Sequence, residues 1–230
     1  MTHKLINNYK INAFKSKQDF LSQIKSEKKI LAAMNAEKFL NKDKRLQNII
    51  NNNIGYPDGI GAVMALEQKG VNAVKIPGSE FWLDIISAFS KEKSFYLLGA
   101  TQEVIEGTVT KLKKEFPDIK IVGYRDGFLK SDDKEKLKKT LLSLQPDIIF
   151  VAQGSPRQEF LMDELMKVHP ALYMGLGGSF DIYGGNKKRA PKLFLDSHLE
   201  WLYRLLKEPT RVGRQLNLVK FLFLLKIGKL

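Results

Sequence analysis

From Phe95 onward the chain repeats one unit: a short apolar run, a loop bearing glycine, and a longer stretch whose apolar residues recur at helical spacing. The runs Phe95–Leu98, Ile119–Val122, Asp147–Ala152 and Ala171–Met174 end in Gly99, Gly123, Gln153-Gly154-Ser155-Pro156 and Gly175-Leu176-Gly177-Gly178. The stretches between them, Thr101–Phe116, Asp132–Leu144 and Arg157–Val168, are predicted helices. Strands this apolar have no face to turn to water, so the alternation specifies βαβ units: an α/β fold with a parallel sheet covered by helices on both faces.

The first ninety residues follow the same grammar less regularly. Lys29–Met34 reads as a buried strand, Ala36–Ile50 as a helix broken by Asn51-Asn52-Asn53, Ala62–Gln68 as a helix and Val71–Ile76 as a strand. Pro77-Gly78-Ser79 is a turn, with Ser79 expected to cap a helix over Glu80–Phe89. Met1–Lys29 is polar, and its weak pattern of Phe14, Phe20, Leu21 and Ile24 suggests a peripheral first helix. No internal repeat or low-complexity segment interrupts this order.

In parallel sheets ligands bind beyond the carboxyl ends of the strands. That rule sets Asp58, Gly78-Ser79, Gly99-Ala100-Thr101, Gly123–Gly127, Gly154–Gln158 and Gly175–Asp181 along one rim. Within the rim, Pro57-Asp58-Gly59 presents a carboxylate on a turn of defined shape, because proline fixes its own φ and glycine accepts dihedrals other residues avoid. Two readings are open for Asp58: a chemical group, or an N-cap for the helix Ala62–Gln68.

Other chemistries fit poorly. There is no cysteine, which removes disulfides and thiolates. No G-x-G-x-x-G and no P-loop occurs, so the glycine loops do not match the common nucleotide fingerprints, although amides near Gly175–Gly178 or Gly154-Ser155-Pro156 could meet an anion. Ser155 and Ser179 lie outside a nucleophile elbow, and His3, His169 and His198 lie outside the glycine loops. No histidine pair or Asp-x-Asp has metal-ligand spacing, so no metal site and no cofactor is expected.

The net charge of +13 is unevenly placed. Residues 187–230 carry eleven Lys/Arg against three Asp/Glu, a net +8. Thr210–Leu230 has no acidic residue and mixes Arg211, Arg214, Lys220, Lys226 and Lys229 with the apolar run Phe221–Leu225. It is too short and charged to span a bilayer, but suits the headgroup layer of an anionic membrane, with docking on the core as the alternative. Met1–Lys10 lacks the pattern of a secretory signal. The expected division is a catalytic core over 1–190 and a helical basic appendage over 191–230, with Lys192–Lys207 helical.

Several separated motifs together resemble the WecG/TagA/CpsF glycosyltransferases over roughly residues 30 to 214. They are Asn35-Ala36, Pro57-Asp58-Gly59-Ile60-Gly61, Pro77-Gly78-Ser79, Gly154-Ser155-Pro156-Arg157-Gln158-Glu159, Gly175–Asp181, Arg189-Ala190-Pro191, and Leu199–Leu205 with Glu208-Pro209-x-Arg211. The resemblance implies a Rossmann-like core and a C-terminal appendage. It further implies metal-independent, inverting transfer of N-acetylmannosamine, its uronic acid or glucose from a UDP donor to a polyprenyl-diphosphate-linked saccharide, as in capsule, cell-wall or teichoic acid synthesis. Asp58 would be the general base, Asn35 would line the sugar pocket, Gln158 and Glu159 the nucleotide-sugar site, and Asp181 would contact the uracil. Arg204, Arg211 and Arg214 would meet the diphosphate. Two positions depart from the pattern: Ala33 stands where the family has Thr, and Lys75 where it has Arg near Pro-Gly-Ser.

On this reading the protein is cytoplasmic and peripherally bound to the inner face of the membrane, and it does not act on nucleic acid. The rivals are a basic Rossmann-like nucleotide- or nucleic-acid-binding protein without transferase activity, and a dehydrogenase or methyltransferase. The first predicts basic residues interleaved with exposed aromatics, whereas the aromatics here fall mostly in apolar runs.

Overall fold

The computed structural model describes residues 2–184 and 212–230. Its centre is a six-stranded sheet in which every neighbouring pair is parallel. Strands β3 (Ile30–Met34), β4 (Ile54–Pro57), β5 (Ser94–Gly99), β6 (Lys120–Arg125), β7 (Ile148–Ala152) and β8 (Leu172–Gly175) lie in the order β4-β3-β8-β7-β5-β6. The chain order reverses beside β3, which opens a crevice there at the carboxyl ends.

Alternation along each strand divides the core. Leu31, Tyr56, Phe95, Leu97, Phe150, Leu172 and Met174 face one apolar layer. There they meet α1 (Lys17–Ile24), α5 (Gly78–Phe89), α6 (Gln102–Glu115) and α9 (Ser179–Tyr183), through residues such as Phe20, Trp82, Ile105 and Phe180. Ile30, Tyr96, Leu98, Ile149, Val151 and Tyr173 face the opposite layer, formed by α3 (Lys44–Asn51), α7 (Ser131–Leu144) and α8 (Arg157–Met166). Every residue of β5, β7 and β8 is buried, which is why these strands read as unbroken apolar runs.

The N-terminal third departs from expectation. Residues 2–13 form an antiparallel hairpin, β1 (Thr2–Ile6) and β2 (Tyr9–Ala13), rather than part of a helix. Asn7 and Asn8 both have positive φ, 48° and 66°, the geometry of a tight primed turn. The hairpin is tied to the region of β4 by Asn12 Nδ2 donating to the Gly55 carbonyl at 3.1 Å and by the Lys10 amide donating to Asn51 Oδ1 at 2.7 Å. The helix expected over 36–50 is two helices, α2 (Ala36–Leu40) and α3. Asp43 starts α3 anew by accepting from the Arg45 and Leu46 amides. The segment 71–77 is extended but unpaired in any sheet, held by Val74 and Ile76 amides donating to the Phe14 and Pro57 carbonyls.

In the C-terminal tail, α10 (Val212–Lys226) packs on α2 and on α4 (Ile60–Gln68). Phe221 is fully buried, stacked on Phe39 at 5.4 Å and set against Gly61, and Leu225 joins the same cluster. Gln68 Nε2 donates to the Leu225 carbonyl and Lys69 Nζ to that of Leu230. The opposite side leaves Leu216, Val219, Phe223 and Ile227 exposed, and α4 adds exposed Ile60 and Met64. Among the described residues no helix is long and apolar enough to cross a membrane.

Candidate active site

The carboxyl ends of all six strands open into one cleft of about 1250 Å³. Its lining includes Asn35 after β3, Asp58 after β4, Ala100 after β5, Phe128 after β6, Gln153 to Gln158 after β7 and Gly175 to Ser179 with Asp181 around β8 and α9. Five strand spacings of about 4.8 Å make the rim about 24 Å long. The volume exceeds the roughly 300–1000 Å³ of an ordinary small-molecule pocket, so two substrate groups fit side by side.

Asp58 is placed by backbone on both sides. Its amide donates to the Met34 carbonyl at 3.1 Å, continuing the β3–β4 ladder, and its Oδ1 accepts from the Gly78 amide at 2.7 Å. The cap expected for the following helix is absent: α4 has Gly59 at its N-cap and no side-chain cap bond. The carboxylate instead meets the backbone of the first residue of α5. Gly78 also lies against Tyr56, and a Cβ there would come within 2.6 Å of the phenol oxygen. Burial, with added repulsion from Asp58 and Glu159, holds the Tyr56 hydroxyl well above its ordinary range, so it keeps its proton. Ser79, expected as a helix cap, is exposed on the cleft wall while Pro77 takes the cap position of α5.

Asn35 caps α2, its side chain accepting from the Lys38 amide at 3.1 Å, and lines the cleft. Gln158 is buried, and its Oε1 accepts from the Gly177 amide at 2.9 Å. Its amide group lies so close to Gly175 that any Cβ there would overlap it, which fixes the glycine at that position. Gln158 therefore holds the loop that leads to Asp181, itself on the lining. Glu159 is fully buried and lies behind the lining. Burial pushes its carboxyl up, but the charge and hydrogen bond of Lys38 and a bond from Gln158 outweigh this and hold it below the usual carboxylate range. Lys75 is exposed on segment 71–77 and does not line the cleft. Arg204 and Arg211 fall outside the described residues, as do Arg189-Ala190-Pro191 and Lys192–Lys207, and of Arg214 only the helical backbone is described.

Of the cations that line the cleft, Arg157 belongs to the Gly154–Glu159 motif, whereas Lys38, Arg45 and Lys134 were not singled out in the sequence. Lys38 pairs with Glu159 at 2.6 Å. Arg45 and Lys134 share Glu164 at 3.4 and 3.0 Å. Arg157, exposed at the start of α8, makes no ion pair among the described residues, and Pro156 takes the N-cap position of α8 with no side-chain cap bond. An uncapped helix start beside a guanidinium is a favourable place for an anion. The signal for the Arg45 site was the break at Asn41–Asp43, which turns α3 toward α8. Among the described residues, no three His, Cys, Asp or Glu side chains gather as a metal site.

A parallel α/β sheet whose strands open at their carboxyl ends into one wide cleft, with a fixed carboxylate on its rim, has the architecture in which ligands bind outside those strand ends. The chain belongs to the WecG/TagA/CpsF family of glycosyl transferases, whose model matches residues 5–230. The family carries out glycosyl transfer in cell-surface polysaccharide synthesis, so the protein takes a sugar donor and an acceptor.

Proposed function

We propose that the protein transfers a hexose, in the class of N-acetylmannosamine, its uronic acid or glucose, from a UDP donor to a polyprenyl-diphosphate-linked acceptor at the inner face of the membrane. The observation that carries this reading is the pairing, in one cleft, of the Gly78-fixed Asp58 with the uncapped start of α8 and Arg157. Asp58 takes the proton of the acceptor hydroxyl as that oxygen attacks C1 of the sugar from the face opposite UDP. The amide and guanidinium of Arg157, at the start of α8, stabilise the negative charge that builds on the departing diphosphate, so no step needs a metal ion. On this reading Asn35, which lines the cleft, meets the sugar, and Asp181 accepts from the uracil.

The tail supports the position of the acceptor. Because α10 lies on the helices that follow β3 and β4, its exposed apolar side is at the Asp58 end of the sheet, and a lipid-linked acceptor arrives there. The donor then extends along β8 and β7. Thermal denaturation tests this: UDP at a hundredfold excess over its Kd should add about 2.7 kcal/mol of stability, and NAD or S-adenosylmethionine should add none. Stabilisation by NAD or S-adenosylmethionine, without any by UDP, refutes the assignment.

A further inference from the structure

Lys38 has the sequence context of a solvated helix lysine, yet its side chain is only 7% exposed. Its ammonium donates to the Ala33 carbonyl at 2.9 Å and to Glu159 Oε1 at 2.6 Å. A lysine carries three N–H donors, so one has no acceptor among the described residues. Lys38 lines the cleft beside Asn35 and Asp58, whereas Glu159 lies behind it. A buried ion pair gives little net stability over an apolar pair of the same volume, because loss of hydration cancels most of the attraction. Stability alone therefore does not account for an ammonium here.

We propose that Lys38 is a specificity-determining residue whose third N–H binds an oxygen substituent of the sugar being transferred, an inference that rests on the nucleotide-sugar reading above. Position selects the sugar over the diphosphate. Lys38 sits at the β3–β4 end with Asp58, where C1 must lie for the acceptor to attack. The α8 start and Arg157 lie over β7, two strands farther along the sheet. Glu159 fixes the ammonium and balances its charge, so a neutral hydroxyl is accepted as well as a carboxylate. Ala33 brings no hydroxyl to this wall, and Lys38 and Asn35 are among the side-chain donors that line it.

Removing Lys38 alone would strand the Glu159 charge in the core, so the informative variant is the double substitution Lys38→Met with Glu159→Gln. Calorimetric titration of the full chain with UDP, UDP-glucose, UDP-N-acetylmannosamine and the corresponding uronic acid reads the split between nucleotide and sugar. The double variant should melt as a folded protein and keep UDP affinity within about twofold. It should bind the preferred UDP-sugar at least about tenfold more weakly, the loss expected for one charge-assisted hydrogen bond. Unchanged affinity for the UDP-sugar overturns the proposal. Equal weakening of UDP and UDP-sugar in a folded variant also overturns it, by moving Lys38 to the diphosphate. A wild-type chain that binds neither UDP nor any UDP-sugar removes the nucleotide-sugar reading itself, and this inference with it.

Discussion

The Asp58 carboxylate has its direction set by the Gly78 amide, so Asp58→Asn keeps the shape and one acceptor oxygen while removing the proton acceptor. Transfer should fall by at least about two orders of magnitude with donor affinity retained, measured as kcat on a lipid-linked acceptor and UDP-sugar binding by calorimetry. A parallel loss of donor affinity would make Asp58 a positioning group instead. Glu159 makes a prediction in pH. Its folded carboxyl lies below the usual range, so the stability it contributes is present above the unfolded value of about 4.3 and is lost as pH falls through the folded value. Unfolding free energy should decline on acidification below about pH 4, and Glu159→Gln should flatten that decline in urea titrations across pH. Neither residue's surroundings were legible from spacing. Asp58 lay in a turn that could equally have capped the helix after it, and the partner of Lys38 lies four strands later in the sequence, brought near only by the packing of α8 against β3.

At the scale of elements, α10 has one buried side and one exposed apolar side. Phe221 and Leu225 complete a core cluster, and Phe221→Ala should cost about 3–5 kcal/mol, the usual range for emptying a buried aromatic site. Val219→Glu with Phe223→Glu changes only exposed positions and should leave the melting temperature within about a degree while weakening binding to anionic vesicles. Vesicle binding unaffected by these two substitutions would remove the membrane role from this face. Removing the whole tail would conflate the two effects, since it also uncovers α2 and α4. The strands and helices from β5 to β8 were readable because complete burial writes them as apolar runs with glycine at their ends. The hairpin β1–β2 was not, because its turn rests on two left-handed asparagines rather than an Asn-Gly pair, and its alternation is only five residues deep on each side. The segment 71–77 carries the residues of a strand, but no neighbour offers it a ladder, since Pro57 and Phe14 take only single bonds from it.

For the whole molecule, composition located the charge and the alternation located the rim, while the width of the cleft came only from the strand order. That order places β6 farthest from β4, so the loops carrying Phe128 and Asp58 stand at opposite ends of one opening. The cluster joining Ile6 and Tyr9 of the hairpin, Ala62 and Leu66 of α4, and Phe221 and Leu225 of α10 has a further meaning for synthesis. A ribosome releases the first of these residues long before the last, so the layer beneath Asp58 cannot close while the chain is growing. The nascent protein carries α2 and α4 with their apolar sides uncovered until α10 emerges. The β5–β8 half, whose partners are closer in sequence, has no such wait, and the end of the sheet that holds Asp58 must wait for the C-terminal helix to complete its core.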